Sequence, residues 1–117
     1  MMTPVLIIDA LIGYSLSGAP RGHVRELIDW ANESGGPILS LDLPSGLDAT
    51  SGSTEGAHVV ADSTLTLALP KTSLNAESVG DLMLADIGIP AETYRRTVLS
   101  VSPRVFAGSF TVPILAL

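Results

Sequence analysis

Two aspartates each follow a short apolar run, which makes them the first candidates for chemistry. Asp9 follows Val5-Leu6-Ile7-Ile8, and Asp42 follows Ile38-Leu-Ser-Leu41. Runs of this kind predict strands of a parallel sheet, buried on both faces. Because parallel α/β sheets bind ligands at the carboxyl ends of their strands, both carboxylates are expected at one rim. Capping of the following turn is the competing interpretation for each, and residue type alone does not decide between the two.

The segment after Asp42 is dense in turn formers and oxygen ligands. It reads Asp42-Leu-Pro-Ser-Gly-Leu-Asp48, in which the proline fixes the chain direction and the glycine permits a tight turn. Asp9, Asp42 and Ser45 together would offer carboxylate and hydroxyl oxygens, which hard cations prefer as ligands. On its own, Ser45 is interpreted as an ordinary turn residue.

Residues 13–18 form a loop between the first strand and a helix, the place where phosphate-binding loops occur. Backbone N–H groups and a helix N-terminus would face a phosphate there. The glycine spacing opens like G-x-x-x-x-G-K-[ST], but Ala19-Pro20 stands where the Lys and the hydroxyl residue would be, which disfavours a nucleoside-triphosphate hydrolase. The absence of G-x-G-x-x-G counts against an ordinary NAD-binding oxidoreductase domain. By spacing alone, a plain connecting turn is the favoured interpretation.

The remaining polar candidates are interpreted structurally. Lys71 is either a catalytic base or a charged loop residue, and the second is favoured. His23 and His58 are too few and too far apart to predict a zinc site, and the chain has no cysteine to add a thiolate ligand.

The elements that must position these residues form one domain, residues 1–117. Val24, Leu27, Ile28 and Ala31 predict one face of a helix, which gives a strand–loop–helix–strand unit with parallel strands. Further elements are predicted as a helical turn over residues 59–62, strands over 63–69 and 81–86, and a helix over 92–98. The tail, with Val105-Phe106 and residues 111–115, is predicted to add one more strand. In the third strand the leucines alternate with smaller residues, which predicts a half-covered strand. A sheet of four or five strands with a single long helix has too few helices for a doubly wound fold.

Charge and hydropathy exclude several classes of function. The net charge of −6 disfavours nucleic-acid binding. No stretch reaches the ~20 apolar residues that span a bilayer, so no membrane association is predicted. The N-terminus lacks the basic region of a signal peptide, and the cytoplasm is the default location. Apolar residues make up 46% of the chain, and some are expected to face a partner rather than the interior.

Six segments, in order along the chain, resemble one enzyme family. They are Asp9-Ala-Leu-Ile-Gly13, Leu16-Ser-Gly-Ala-Pro-Arg21, Leu41-Asp-Leu-Pro-Ser-Gly-Leu-Asp-Ala49, Ala61-Asp-Ser-Thr-Leu-Thr66, Leu69-Pro-Lys71 and Ala85-Asp-Ile-Gly-Ile-Pro90. The ordered set is similar to the second half of the NAD(P)H-hydrate epimerase family, also called the YjeF N-terminal domain. The D-[IL]-P-S-G-L-D segment is its most diagnostic part.

The resemblance implies a fold, a reaction and roles for residues. The fold would be α/β, a Rossmann-like three-layer α/β/α sandwich with a mainly parallel sheet, incomplete in this chain. The reaction would interconvert the R and S hydrates of NADH and NADPH, with a bound potassium ion. Asp9 and Ser45 would be potassium ligands, and Asp42 would contact the reacting ring and be the candidate acid/base. The nucleotide would lie along Gly13, Tyr14, Ser15, Leu16, Ser17, Gly18 and Ala19.

One departure from the family keeps a second function open. The family's first half carries an Asn- and Gly-rich phosphate loop that completes both sites, and this chain has no such loop. A fragment, a truncated gene product or one half of a split protein is therefore expected. The alternative function is a non-catalytic nucleotide-binding or interaction module, including a dimerisation module. Expected partners are the hydrated dinucleotide, a second copy of the chain, and an ADP- or ATP-dependent NAD(P)H-hydrate dehydratase in the same pathway.

Overall fold

One five-stranded sheet organises the molecule, and the spatial order of its strands follows the chain. The computed structural model describes residues 2–71, 74, 76–96, 106 and 108–114. The elements, in chain order, are β1 (Ile7–Asp9), α1 (Gly22–Glu33), β2 (Ile38–Leu41), β3 (Ser63–Leu67), α2 (Ala76–Val79), β4 (Asp81–Ala85), α3 (Ala91–Arg95) and β5 (Thr111–Ile114). β1 to β4 pair in parallel and β5 pairs antiparallel to β4, which confirms an α/β fold with a mainly parallel sheet. None of the helices in these residues is long and apolar enough to cross a membrane.

Helix α1 packs on the sheet through a narrower face than the sequence predicts. Ile28 and Ala31 are buried against Ile38, and Val24 packs against the same cluster, as expected for offsets of four and seven. The prediction that Leu27 lies on this buried face is wrong, because Leu27 is 47% exposed. Since consecutive residues in a helix lie about 100° apart, Leu27 falls on the flank of a stripe centred on Ile28.

The two faces of the sheet differ in burial. The register places Ser40, Thr64 and Leu82 side by side, and all three are buried. We call the face of the sheet on which they lie the covered face. The next residues along, Leu41, Leu65 and Met83, mark the outer face, where the first two are half-buried and Met83 is 37% exposed. Side chains alternate along a strand, so each strand contributes to both faces.

The outer face overturns the prediction that the first strand is buried on both sides. Ile8 lies on that face and is 59% exposed, whereas Asp9 lies on the covered face and is 3% exposed. β1 is an edge strand with β2 as its one neighbour in the sheet order. An apolar run predicts a strand, but it does not reveal whether both faces are covered.

In strand β3, too, the apolar residues do not mark the buried face. Its leucines are half-buried, while the two threonines that alternate with them are fully buried, because the threonines lie on the covered face. The strand ends at Leu67 rather than Leu69, since Ala68 has a φ of 64° and leaves the extended conformation. Ala68 then donates its N–H to the Ala85 carbonyl oxygen (3.1 Å) as the chain turns.

Residues 59–62 form no helix, so the predicted helical turn is wrong. The N–H of Val59 donates to the Ser45 carbonyl oxygen (2.8 Å), that of Ala61 to Ser78 (3.1 Å) and that of Asp62 to Ile38 (2.9 Å). Each donor is satisfied by a distant segment rather than by the residue four positions earlier, as a helix would require. This segment therefore lies beside the sheet as connecting chain.

The C-terminal predictions are confirmed where the structure describes the chain. α3 covers Ala91–Arg95 of the helix predicted over residues 92–98, and β5 covers Thr111–Ile114 of the strand predicted over 111–115. Residues 97, 98 and 115 lie outside the described residues. So does Val105, the first residue named for the predicted tail strand, while Phe106 lies in a turn.

Candidate functional site at the carboxyl rim

Asp9 and Asp42 lie at the same edge of the sheet, as the strand order predicts. Asp9 is the last residue of β1 and pairs with Ser40, and Asp42 follows β2 two residues further on. Because β1 and β2 are parallel, their carboxyl ends share one rim. The two side chains are held by different partners, and they form two separate clusters.

The first cluster joins Asp9 to Ser45 in the interior. The Ser45 hydroxyl donates to Asp9 Oδ1 (2.5 Å), and the Ser45 backbone N–H donates to Asp9 Oδ2 (2.8 Å). Ser40 donates its hydroxyl to the same Oδ2 (2.7 Å), and the Leu11 N–H lies 3.4 Å from Oδ1. Asp9 is 3% and Ser45 1% exposed. Neutral donors thus satisfy both oxygens of a buried carboxylate, which is the condition for burying one without a large cost.

A tight turn brings Ser45 back to Asp9. The Leu47 N–H donates to the Pro44 carbonyl oxygen (3.1 Å), which closes the turn. Gly46 has a φ of 96°, and a Cβ there would collide with the Ala57 carbonyl oxygen and lie 2.7 Å from the His58 Cα. Only glycine fits both the conformation and the space, so the turn requires glycine at position 46.

The second cluster joins Asp42 to Lys71 across the ends of β2 and β3. Asp42 has a φ of 70°, a left-handed conformation that few residues other than glycine, asparagine and aspartate adopt. Its N–H donates to the Leu65 carbonyl oxygen (2.8 Å), and its Oδ1 accepts from the Leu67 N–H (3.4 Å). The Lys71 ammonium donates to the same Oδ1 in a close ion pair. The two side chains are 21% and 18% exposed, so the pair lies at the surface of the rim.

Lys71 is the site residue that the sequence interpretation missed. The sequence favours a charged loop residue, whereas in the structure its ammonium pairs with Asp42 and also lies 3.2 Å from the Leu67 carbonyl oxygen and 3.5 Å from Thr66 Oγ1. The signal that could have found it is positional. Lys71 follows the third strand, whose carboxyl end lies beside that of β2 at the same rim.

The loop from Gly13 to Ala19 begins at the first cluster and ends at helix α1. The Ile12 N–H donates to Ser45 Oγ (2.9 Å), which ties the start of the loop to the Asp9–Ser45 cluster. Tyr14 is 69% exposed, and Ser15, Ser17 and Gly18 are also exposed. α1 begins at Gly22, three residues after the loop, and its N-cap residue makes no side-chain capping hydrogen bond. The loop therefore presents backbone and hydroxyl groups to solvent next to a helix N-terminus.

The donors around Asp9 are oxygens. Besides the Asp9 carboxylate and the Ser45 hydroxyl, the Ile12 carbonyl oxygen lies 3.3 Å from Ser45 Oγ. This set fits a hard monovalent or divalent cation by donor type, and it supplies only part of the about six to eight oxygens that a large hard cation takes. Within the described part of the chain, no group of three or more His, Asp or Glu side chains comes together in a metal-binding arrangement.

Asp48, in the same segment, serves a turn rather than the rim. Hydrogen bonds from the backbone and hydroxyl of Ser51 and from the backbone of Thr50 hold the pKa of its carboxyl below the ordinary value. All three donors reach Oδ1, at 2.7–2.9 Å. This is an Asx-type turn, and it supports the capping interpretation for this aspartate.

The segments that form both clusters match known proteins. The model of the family described as YjeF-related protein N-terminus matches residues 1–73. An NAD(P)H-hydrate epimerase of Dehalogenimonas lykanthroporepellens is 48% identical over 111 residues, covering 95% of this chain and 45% of the relative. The bifunctional NAD(P)H-hydrate repair enzyme Nnr of Escherichia coli is 48% identical over 69 residues, covering 59% of this chain and 13% of the relative.

A solved structure matches the fold. The crystal structure of yeast ynu0 superposes with a TM-score of 0.76 at 16% identity, covering 94% of this chain and 46% of that chain. The chain thus spans about half the length of the Dehalogenimonas relative and of the yeast protein. With the family match over residues 1–73 and the identity to the epimerase, the chain belongs to the YjeF-related protein N-terminus family.

Proposed function

We propose that this chain forms the part of an NAD(P)H-hydrate epimerase that holds the reacting ring. The observation that carries the proposal is the pair of rim clusters, which sets a partly exposed carboxylate, Asp42, beside a buried oxygen-rich one, Asp9. Two relatives, 48% and 45% identical to this chain over 111 and 84 residues, are named NAD(P)H-hydrate epimerase. The substrate would be the R or S hydrate of NADH or NADPH, with the hydroxyl on C6 of the nicotinamide ring.

The chemistry at C6 needs a group that handles one proton. Inversion breaks the C6–O bond, with the oxygen leaving as water after it gains a proton, and the ring nitrogen lone pair stabilises the cation that remains. Water then adds to the opposite face and loses a proton, so the overall composition does not change. Asp42 is the candidate acid/base: it would lend the proton to the leaving oxygen and recover it from the water that adds, and its partly exposed side chain is accessible to the ring.

Potassium is proposed at the Asp9–Ser45 cluster. The Asp9 carboxylate, Ser45 Oγ and the Ile12 carbonyl oxygen would hold it, and the remaining ligands would come from outside this set. When bound, the ion would supply positive charge that orders the start of the nucleotide loop. Asp42 belongs to the other cluster, so its proton-transfer role does not depend on direct coordination of the ion.

The nucleotide is proposed to lie along the loop from Gly13 to Ala19. The exposed Tyr14, Ser15, Ser17 and Gly18 offer backbone N–H groups and hydroxyls, and the N-terminus of α1 follows closely. Such groups favour phosphate oxygens because the helix dipole adds partial positive charge. The hydrate would then extend from this loop along the rim to Asp42.

The pathway partner is proposed to be an NAD(P)H-hydrate dehydratase. It would restore the normal cofactor from one epimer, so epimerisation makes both epimers available for repair. Relatives in Escherichia coli and Hyperthermus butylicus are named bifunctional NAD(P)H-hydrate repair enzymes. Whether the dehydratase is fused to this chain or separate does not alter the role proposed for the rim.

An interaction module is the second candidate function, and the outer face of the sheet favours it. Ile8 is 59% and Met83 37% exposed there, with Leu41 and Leu65 half-buried between them. Exposed apolar surface of this kind is typical of protein–protein contacts. Homodimerisation through this face is one form that the module would take.

The proposed function is tested by following epimer interconversion directly. Epimer-enriched NADH hydrate is incubated with the chain and potassium, and the R and S forms are separated by chromatography. The expected result is interconversion faster than the spontaneous rate. Replacing potassium by lithium at equal ionic strength should lower the rate, since the smaller ion fits the proposed ligands less well. A rate equal to the spontaneous one in both salts would reject epimerase activity of the chain and leave the interaction module.

A further inference from the structure

We propose that Lys71 is a positioning residue that fixes the Asp42 carboxylate toward the reacting ring. The proposal rests on the proposed function and assigns a specific role to a side chain that the sequence interpretation set aside. The observation behind it is the ion pair between Lys71 Nζ and Asp42 Oδ1, which joins the carboxyl ends of two neighbouring strands.

Asp42 needs such a partner because its backbone conformation is unfavourable. A φ of 70° costs energy for a residue with a Cβ, so surrounding contacts must hold it. The Asp42 N–H is fixed by the Leu65 carbonyl oxygen, and its Oδ1 receives the Leu67 N–H at 3.4 Å. A hydrogen bond of that length is weak, so the ammonium is the main restraint on the carboxylate.

Lys71 is itself held in place by the end of β3. Its ammonium has three N–H donors, and three acceptors surround it: Asp42 Oδ1, the Leu67 carbonyl oxygen at 3.2 Å and Thr66 Oγ1 at 3.5 Å. The Leu67 carbonyl oxygen is the nearer of the two β3 acceptors, and the fully buried Thr66 adds a weaker contact. An ammonium whose donors are all directed to acceptors is suited to orienting a carboxylate, and it is poorly suited to act as a base.

The turn after β3 explains how Lys71 reaches Asp42. Ala68 has a φ of 64°, and the Leu69 N–H donates to the Leu67 carbonyl oxygen (2.8 Å). The chain therefore folds back over the end of its own strand, and Pro70 follows the turn. Two left-handed residues, Asp42 and Ala68, thus lie at the ends of adjacent strands and bring the two charged side chains together.

The test combines kinetics with a spectroscopic signal that only this residue can give. Lys71 is the single lysine of the chain, so 15N-lysine labelling gives one side-chain ammonium resonance. Lys71→Met removes the charge and keeps a stem of similar length, Lys71→Arg keeps the charge, and Arg95→Met removes an exposed cation on α3 as a matched control. Far-UV circular dichroism and denaturant unfolding establish that each variant is folded.

The expected result is a loss of kcat with little change in KM. Because a misplacement of about 1 Å costs about 100-fold in rate, Lys71→Met should lower kcat by about that factor. Lys71→Arg should restore most of the loss, and Arg95→Met should match the wild type. A folded Lys71→Met variant with wild-type kcat would overturn the proposal.

A wild type without activity would reject the proposed function separately, and the ammonium resonance then decides on Lys71. Adding NADH hydrate should shift that resonance, whereas ADP-ribose, which lacks the nicotinamide ring, should leave it in place. The same shift with both ligands, or with neither, would overturn the role of Lys71 near the ring.

Discussion

Asp9 and Asp42 end neighbouring strands at one rim, yet their surroundings differ. Asp9 is 3% exposed and accepts hydrogen bonds from the hydroxyls and backbone of Ser40, Ser45 and Leu11. The Asp42 side chain is 21% exposed and pairs with the Lys71 ammonium. A buried carboxylate saturated by neutral donors is built to hold geometry or a cation. A partly exposed carboxylate paired with one charge remains accessible to a ligand.

The difference in burial and partners arises from the turn that follows Asp42. The left-handed conformation of Asp42 directs the chain back, so that Ser45 returns to Asp9 three residues later. A single segment therefore supplies the partly exposed carboxylate of Asp42 at its start and, three residues later, Ser45, the hydrogen-bond partner of the buried Asp9. Strand position alone makes the two aspartates equivalent, and the turn makes them different.

The largest expected effect is on the rate, through Asp42. Asp42→Asn keeps a residue that tolerates a positive φ but removes the proton acceptor, so the epimerisation rate should fall by about 100-fold or more. Chromatographic separation of the R and S hydrates measures it. Asp48→Asn, in the same segment, should leave the rate unchanged. Equal rates for wild type and Asp42→Asn would reject Asp42 as the acid/base, and neither rim aspartate would then have a role in proton transfer.

The next effect is on stability, through Asp9. In Asp9→Asn one carboxylate oxygen becomes an NH₂ group that faces the Ser40 and Ser45 donors, so buried hydrogen bonds are lost. The free energy of unfolding should fall by about 2–4 kcal/mol, measured in urea. Asp42→Asn should cost less than half as much, because its side chain is nearer to solvent. A larger loss for Asp42→Asn would reverse the assignment of structural and accessible roles.

A somewhat smaller loss in the free energy of unfolding is expected at Gly46, where the segment turns. Gly46→Ala forces a side chain into a φ of 96° and against the Ala57 carbonyl oxygen and the His58 backbone. Unfolding should become easier by about 1–3 kcal/mol, and Ser45 should move away from Asp9. Gly13→Ala is the matched control, since a Cβ there meets no heavy atom within 4 Å. Equal stability of the two variants would mean that Gly46 does not set the turn.

The smallest effect concerns Asp48, the aspartate that caps a turn. Its pKa is lowered in the folded state by hydrogen bonds from Ser51 and Thr50. The contribution to stability is therefore present above the unfolded pKa of about 3.9 and is lost as the pH falls through the folded value. Unfolding midpoints of wild type and Asp48→Asn, compared at pH 6 and at about pH 3, should differ more at pH 6. A difference that grows on acidification would contradict the sign of this shift.

The rim was predictable because it follows from strand order. Two apolar runs joined by one helix imply parallel strands, so Asp9 and Asp42 had to share an edge. Lys71 was not predictable in the same way, because its position depends on the left-handed Ala68, and no propensity favours alanine there. The hydrogen bonds from Ser45 to Asp9 likewise depend on a turn whose direction the composition does not give.

Burial was the least predictable part of the fold. Hydropathy marks Leu65 and Thr64 as inner and outer residues of β3, but Thr64 is fully buried and donates to the Val79 carbonyl oxygen (2.8 Å). Ile8 and Leu27 are apolar and exposed. A periodic pattern gives the element and its alternation, whereas the face that is covered depends on which other segments pack there. The helical turn predicted at residues 59–62 is wrong for the same reason, because that segment takes its hydrogen-bond partners from distant parts of the chain.

The most direct measurement of the central claim is a map of where the hydrate binds. Amide resonances of the 15N-labelled chain are followed while NADH hydrate is added in potassium buffer. Shifts are expected in the loop from Gly13 to Ala19 and at Asp42 and Leu67, with Gly36 and Gly80 at the opposite edge of the sheet unchanged. Shifts confined to Gly36, Gly80 and their neighbours would contradict a substrate site at the carboxyl rim.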